Sequence, residues 1–410
     1  MTGIDTDVLI VGGGPAGMMA GLLFARAGVR TLVIEKHGDF LRDFRGDTVH
    51  PSTLELFHEL GLIEELLARP HDKVPTISAE VAGKRFTVAD FRRLSVPCRF
   101  VAMMPQWEFL DFLADSARVY PEFSLRMNVE ATGLIEEQGR IAGVTTAGGE
   151  AIRARLVIAS DGRRSVLRGA AALPLRDLGA PMDVFWFRLP KQRMGDNRST
   201  GVFGTGRIFA LIDRGDYWQC AYVFPKGSAD AVRARGLDAF KANITAEAPY
   251  LRAGIDALTD WDDVKLLSVA VDRLTRWHRP GLLAIGDAAH AMSPIGGVGI
   301  NLAIQDAVAA ANILAEPMRA GRDVDPLLGR VQSRRMPPTR IIQGLQLAIQ
   351  RGIIGRVLAL DAPPTEPPFA LRLLERFPAL RRIPARILGL GARREHIRSP
   401  DRLHSAAPML

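Results

Sequence analysis

Hydrophobic positions near the N-terminus come in short unbroken runs separated by helical stretches. Asp7-Val8-Leu9-Ile10-Val11 is almost wholly apolar, the pattern of a strand buried on both faces. A glycine cluster follows, and Pro15 to Ala27 predicts a helix that Gly28 caps. Thr31-Leu32-Val33-Ile34 predicts a second strand. This β-α-β opening implies a parallel sheet with a right-handed crossover. Pro51 to about Leu67 predicts a helix interrupted by Gly61, and the stretch from about Gln106 to Arg118 predicts another. Short alternating segments lie between them, from Thr76 to Phe91. Strand-like pieces follow at Val129 to Ile135, Ile141 to Thr145, Ala151 to Ala154 and Leu156 to Ala159.

The middle, from about Met182 to Leu274, is rich in aromatic residues and reads mostly as strand. Val184 to Leu189, Ile208 to Ile212 and Trp218 to Phe224 are its clearest runs, and a helix from about Ala229 to Ala246 interrupts them. Leu282-Leu283-Ala284-Ile285 is again an apolar strand, followed by a glycine turn and a long helix from about Gly299 to Met318. The remainder is helical, with breaks expected at Pro337-Pro338, Pro363-Pro364 and Pro367-Pro368. Because buried-strand signals resume after the middle, the middle reads as a second sheet inserted into the first domain.

Composition narrows the class. The chain has 410 residues, 47% hydrophobic and 24% charged, which is ordinary for a globular protein and excludes a disordered one. Its two cysteines, Cys98 and Cys220, exclude a disulfide scaffold and lack metal-ligand spacing, so no metal is expected. They fit a reducing compartment, and a cytoplasmic location is expected. No uninterrupted apolar run approaches the ~18 residues of a membrane span, so no integral membrane segment is expected. Met1-Thr2-Gly3-Ile4-Asp5 shows no secretory signal pattern. The net charge is +8, but 46 of the 53 basic residues are arginine, and Leu371 to His404 carries nine of them against Glu375, Glu395 and Asp401. Most of the excess therefore sits in the tail. It lacks an interleaved aromatic platform, so nucleic acid is not an expected partner.

Three motifs carry the chemistry. Gly12, Gly14 and Gly17 form G-x-G-x-x-G directly after a strand and at the start of a helix. The first glycine permits a tight turn, the second lets a pyrophosphate approach, and the third lets helix and strand pack closely. Pro15 suits the first helical turn, whose N–H groups face the phosphates. Glu35 ends the second strand, 18 residues after Gly17, where an acid can bond a ribose hydroxyl; Lys36 lies beside it. The second motif, Leu156 to Gly162, is a buried strand ending in Asp161-Gly162, followed by Arg163-Arg164-Ser165. The third is Leu283-Ala284-Ile285-Gly286-Asp287-Ala288-Ala289-His290, which continues through Met292 to Asn301 into a helix. Gly-Asp at a strand's end can set a carboxylate against a polyol, and the glycine loop feeds a second helix N-terminus. Two helix N-termini and one nucleotide imply a long ligand, with pyrophosphate at one end and an electron-accepting ring at the other.

In order and spacing, residues 4 to 350 resemble the FAD-dependent monooxygenases of the para-hydroxybenzoate hydroxylase type, the single-component group A aromatic hydroxylases. The resemblance implies an α/β fold: a Rossmann-like FAD-binding domain, an inserted and mostly antiparallel β-sheet substrate domain (α+β in character), and C-terminal helices. The expected boundaries are 1–75, 100–175 and 276–350 for the FAD domain, 76–99 and 176–275 for the substrate domain, and 351–410 for the tail. It further implies that Gly12, Gly14, Pro15, Ala16 and Gly17 hold the pyrophosphate and Glu35 the adenosine ribose. Arg45, with Arg42 as its competitor, and Gln106 would lie near the flavin, and Val129 beside the adenine. Asp161 would support FAD and the approach of the nicotinamide. Gly286 and Asp287 would meet the ribityl chain or the pyrophosphate side. Pro294, Gly297, Gly299, Ile300 and Asn301 would wrap the isoalloxazine ring. NADPH or NADH would be the reductant, without a Rossmann fingerprint of its own. The implied reaction hydroxylates an aromatic or polyketide-like substrate with O2 through a flavin hydroperoxide. Expected partners are thus a small aromatic or apolar substrate, O2, and a second copy of the chain as a homodimer.

Several residues stay open on the sequence. Either Val184, Trp186 and Arg188 or Phe185, Phe187 and Leu189 face the flavin, and likewise Trp218, Cys220 and Tyr222 or Gln219, Ala221 and Val223. His50 is the candidate for orienting substrate or moving a proton, against a capping role at the Pro51 helix. His290 reads as structural. The arginines among Leu373, Phe377 and Ile383 make an amphipathic tail that either touches anionic lipid or packs on the FAD domain. The competing functions are a flavin reductase of prenyl double bonds, a flavin halogenase, whose Trp-x-Trp-x-x-Ile-Pro signature is absent, and a flavin carrier without turnover.

Overall fold

The computed structural model describes residues 5–41, 48–81, 84–191, 200–204, 206–214, 217–358 and 366–403. Its first sheet has five parallel strands in the order Leu282–Ala284, Ala151–Ala159, Thr6–Val11, Thr31–Glu35 and Phe123–Met127. A short antiparallel strand, His278–Arg279, closes one edge. Ala131–Glu137 and Arg140–Thr146 extend from Ala151–Ala159 as an antiparallel hairpin. The central strand Thr6–Val11 sits between two parallel neighbours, pairing Val8 with both Leu156 and Thr31. This explains its apolar run: Val8, Leu9 and Ile10 are fully buried.

The first helix, Pro15–Arg26, packs on the long helix Gly299–Arg319, which in turn packs on Asp325–Ile349. The stretch Ile295–Arg319 is apolar enough by composition to cross a membrane, but it is mostly buried in the protein core. Asp325–Ile349 runs straight through Pro337-Pro338, where the sequence predicts a break. An interior proline costs about 3 kcal/mol or more. Here Val331, Arg335, Thr339 and Ile342 are buried around it, so tertiary packing outweighs local propensity.

The second sheet has seven strands, in the order Lys265–Leu267, Met182–Pro190, Tyr217–Pro225, Arg207–Asp213, Thr200–Gly204, Thr76–Val81 and Lys84–Asp90. All its pairings are antiparallel except that of Thr200–Gly204 with Thr76–Val81. The helix expected from Ala229 to Ala246 is two helices, Ala229–Ala234 and Leu237–Glu247, divided at Gly236.

The tail bridges both sheets' domains, and only its last segment departs from the expected helix. Its helices Phe369–Arg376 and Arg382–Leu390 both lie against Lys84–Asp90, an edge strand of the second sheet, and Arg382–Leu390 also packs on the first domain through Ile387 and Leu388. Residues 391–403 are irregular and form a strap back over the first domain. Arg394 pairs with Glu55 at 2.8 Å, the Ile397 N–H donates to Glu59, and Arg26 donates to the Ser399 carbonyl at 2.7 Å. Polar contacts, not a continuing helix, hold this segment down.

Candidate active site

The first glycine loop is built around contacts that only glycine allows. Gly12 has φ +106°, and a methyl there would sit 2.4 Å from the Ser160 carbonyl oxygen. A methyl on Gly17 would sit 1.9 Å from the Gly12 carbonyl oxygen and 2.6 Å from Ser160 Oγ. Ser160 Oγ donates to the carbonyls of Val11 and Gly12, both at 2.9 Å, and so locks the loop to the strand Ala151–Ala159. Gly14 differs: a methyl there would meet no protein atom within 4 Å. It is the N-cap of a helix with no side-chain cap, so free N–H groups and the positive dipole end face open space. Glu35 is buried at the end of its strand and accepts from the Gly13 N–H at 2.8 Å, the His37 N–H at 3.1 Å and His37 Nδ1 at 2.5 Å. Lys36 is exposed, while Val129 is half-buried with its N–H on the Glu35 carbonyl at 2.9 Å. Arg42 and Arg45 lie outside the described residues.

Asp161 follows Ser160 at the end of Ala151–Ala159. Its Oδ2 accepts from the Leu167 N–H at 3.2 Å, while Oδ1 is buried without a partner among the described residues. Burial pushes its carboxyl above the usual range. Arg163, which sequence reasoning passed over, donates from Nε to Asp287 Oδ2 at 3.0 Å, and its Nη1 is buried without a partner among the described residues. This bond joins the second and third motifs across 124 residues of chain. Its signal was the arginine after Asp161-Gly162. Gln106 starts its helix with Oε1 buried and unpartnered. It follows Val101–Met103, which pairs with Thr48–Val49.

The third motif rests on Asp306, a second residue the sequence did not single out. Asp306 is fully buried on the helix Gly299–Arg319. It accepts from the Gly286 N–H at 3.1 Å, His290 Nε2 at 2.6 Å and Arg335 Nε at 2.9 Å. Burial pushes its carboxyl up, but His290 and Arg335 outweigh that and hold it below the usual range. His290 is therefore a structural partner of the Gly-Asp turn. Further on, Gly297 has φ +62°, and a methyl there would sit 2.1 Å from Thr48 Oγ1, which donates to the Gly297 carbonyl. Asn301 is spent inside the protein: its Oδ1 accepts from the His50 N–H at 2.9 Å and Thr53 Oγ1 at 2.7 Å, and its Nδ2 donates to the carbonyls of Thr48 and Gly297. Pro294, Gly297, Gly299 and Ile300 remain half-buried around a helix start that no side chain caps.

His50 disagrees with its catalytic candidacy. It is the N-cap residue of Pro51–Glu59, yet its ring does not cap that helix. Its Nδ1–H donates to the Leu388 carbonyl of the last helix at 2.6 Å. Burial lowers its pKa to about 4, against smaller opposing effects of the Leu388 and Gly296 carbonyls. The contact with the Leu388 carbonyl makes this imidazole a fastener between the first domain and the tail, and its burial favours the neutral form.

The phase of the second sheet is now determined. Phe185, Phe187, Leu189, Cys220, Tyr222 and Phe224 pack beneath the helix Leu237–Glu247, around Phe240 and Ile244. The opposite face presents Val184, Trp186, Ala210, Ala221 and Val223, and Ile295 of the glycine turn packs against it.

These features fit FAD. Three buried polar atoms, Gln106 Oε1, Asp161 Oδ1 and Arg163 Nη1, have no partner among the described residues, and Gly14 leaves room at a helix N-terminus for a bulky anion. Residues 5–343 match the family model described as FAD binding domain. The 6-methylpretetramide 4-monooxygenase of Streptomyces rimosus is 34% identical over 394 residues, covering 94% of this chain and 92% of that protein. A mutant of PqsL from P. aeruginosa has the same fold, with a TM-score of 0.75 at 20% identity over 86% of this chain and 98% of that one. So has the Diels-Alderase PyrE3 of pyrroindomycin biosynthesis, at TM-score 0.74, 22% identity, and 94% and 80% coverage. Fold alone therefore does not choose the reaction. The family match and the near full-length similarity do: the chain belongs to the FAD-binding family of flavin-dependent aromatic monooxygenases, the group A hydroxylase type.

Proposed function

We propose that this monooxygenase hydroxylates a planar, aromatic, polyketide-like small molecule, taking electrons from NADH or NADPH and oxygen from O2. The observation that carries this reading is the apolar inner face of the second sheet, Val184, Trp186, Ala210, Ala221 and Val223, turned towards Ile295 at the glycine turn. Such a surface suits flat hydrophobic rings and excludes water from them. The similarity to 6-methylpretetramide 4-monooxygenase supports the same class.

In this reading Gly12, Gly14, Pro15, Ala16 and Gly17 hold the pyrophosphate at the first helix start. Glu35 takes the adenosine ribose, with Lys36 and Val129 at the adenine end. Gln106, Asp161, Arg163 and Asp287 serve the middle of the cofactor. Pro294, Gly297, Gly299, Ile300 and the Asn301 backbone enclose the ring. FAD, when bound, supplies hydride acceptance and oxygen activation. The chain supplies the rest. The N-terminus of the helix Gly299–Arg319 favours negative charge beside the ring. The Arg163–Asp287 pair and the Asp306 network hold the two motifs in register. A cytoplasmic setting fits Cys98 and Cys220, both free and buried.

The test is to purify the protein, record its visible spectrum, and screen tricyclic and tetracyclic phenols for stimulated NADH or NADPH oxidation. The expected result is a yellow protein, matched O2 uptake, and a product one oxygen atom heavier. Stimulated oxidation of the nicotinamide that yields only hydrogen peroxide across the panel would refute the substrate class.

A further inference from the structure

Gln350 breaks the rule that buried amides are hydrogen-bonded. It is fully buried, and neither Oε1 nor Nε2 has a partner among the described residues. Two other glutamines on the same stretch of helix are fully engaged. Gln343 Nε2 donates to the Asp272 carbonyl at 2.7 Å and the Ala291 carbonyl at 3.0 Å, while its Oε1 accepts from Arg273. Gln346 Nε2 donates to the Ser293 and Ile295 carbonyls, both at 3.0 Å, and its Oε1 accepts from the Ser293 N–H. Residues 343, 346 and 350 lie at i, i+3 and i+7, so they share one helix face. The first two grip the chain from Ala291 to Ile295, which leads into the second glycine turn. Gln350 is the next rung, one turn beyond that grip.

The helical segment that it opens adjoins the inner face of the second sheet. Gln350 opens a π-helical segment, Gln350–Ile354, a local widening that recurs at functional sites. Its neighbour Ile349 and the segment's last residue, Ile354, pack in one apolar cluster with Val184, Trp186, Ala210, Ala221 and Ile295. Trp186 is the aromatic of that face, and its indole Nε1–H is also buried without a partner. Trp186 within that cluster and Gln350 beside Ile349 thus each bury polar atoms that have no partner among the described residues.

We propose that Gln350 and Trp186 are the specificity-determining hydrogen-bonding end of the substrate pocket, matched to an aromatic hydroxy-ketone. This rests on the function proposed above and goes further by naming the groups that are read. The indole offers one donor, and the amide offers two donors and an acceptor. A ring carbonyl accepts from the donors, and a neighbouring phenolic hydroxyl donates to Gln350 Oε1. The surrounding Val184, Ala210, Ala221 and Ile295 take the faces of the rings.

The test compares wild type with Gln350→Leu, of similar volume, and Trp186→Phe, each loaded with FAD. The probes are 1-hydroxy-2-acetonaphthone, which has the hydroxy-ketone, and 2-methylnaphthalene, which lacks it. Binding is read from the perturbed flavin absorbance, and thermal midpoints are recorded with and without probe. Gln350→Leu is expected to weaken the hydroxy-ketone about 10- to 100-fold, as for a lost buried hydrogen-bonded pair. It leaves the hydrocarbon unchanged within about twofold and raises the midpoint of the probe-free protein, because an unpaired amide is replaced by hydrocarbon. Trp186→Phe shows a smaller loss in the same sense. Equal hydroxy-ketone binding by wild type and Gln350→Leu overturns the inference alone. A lowered midpoint with both probes weakened alike also overturns it, by showing a packing role. A flavin-loaded wild type that binds neither probe overturns the polyketide reading and this inference with it.

Discussion

Alanine at Gly14 and alanine at Gly17 separate what the glycine loop does for the ligand from what it does for the fold. At Gly17 the new methyl lies 1.9 Å from the Gly12 carbonyl oxygen, about 1.5 Å inside ordinary contact, and both sides of the clash are backbone. Neither the helix nor the strand can yield by a side-chain rotation. The cost belongs at the upper end of overpacking, about 3 kcal/mol. For a protein of this size that lowers the thermal midpoint by roughly 3–4 °C. At Gly14 the methyl meets no protein atom, and the backbone is extended, so any residue can adopt it. Stability without cofactor then changes by about 0.5 kcal/mol at most. The methyl does enter the space in front of the free helix N–H groups. Losing one or two charge-assisted hydrogen bonds to a phosphate weakens FAD by about 10- to 100-fold. The assay is a fluorescence titration of FAD-stripped protein, paired with thermal melts of the same samples. If Gly14→Ala bound FAD like wild type, or melted as early as Gly17→Ala, the division of labour argued here would be refuted.

Other perturbations probe the rest of the site. The His50 imidazole is held near 4, below its unfolded value of about 6.5, so the unfolded chain takes up the proton first as pH falls. Its stabilising contribution is complete above about pH 6.5 and fades towards pH 4, by about 3 kcal/mol in all. His50→Gln should flatten that part of the acid-unfolding curve and leave the pH profile of turnover between 6 and 8 unchanged; an altered turnover profile would restore its catalytic candidacy. Asp306→Asn leaves Arg335 buried with Glu395 as its one ionic partner among the described residues and should cost about 3 kcal/mol in urea melts, with FAD lost from the purified protein. A change under about 0.5 kcal/mol would show that the network is not what holds the Gly-Asp turn. Phe187→Ala should destabilise by about 3–5 kcal/mol yet leave the flavin perturbation by bound substrate intact, because Phe187 faces Phe240 and not the glycine turn. Loss of substrate binding at unchanged stability would reverse the assignment of the two sheet faces.

What the sequence determined by itself was local and backbone-driven. The run Val8 to Val11, the spacing of Gly12, Gly14 and Gly17, and Gly286-Asp287 after Leu282–Ala284 each encode a strand, a turn and a helix start within a few residues. Steric limits on the chain make such patterns readable, and the helix Gln106–Arg118 was legible with about those bounds for the same reason. What only the tertiary structure decided depended on partners far away in the chain. Both faces of Met182–Pro190 are apolar, so alternation alone carried no phase; the helix Leu237–Glu247 claimed one face and left the other towards Ile295 at the glycine turn. His50 became a fastener because Leu388 reaches it, and Asp306 became an anchor because His290 and Arg335 converge on it. Pro337-Pro338 failed to break their helix because buried neighbours hold it. The unpaired Gln350 had no signature in the sequence, since burial and the absence of a partner are properties of the packed molecule alone.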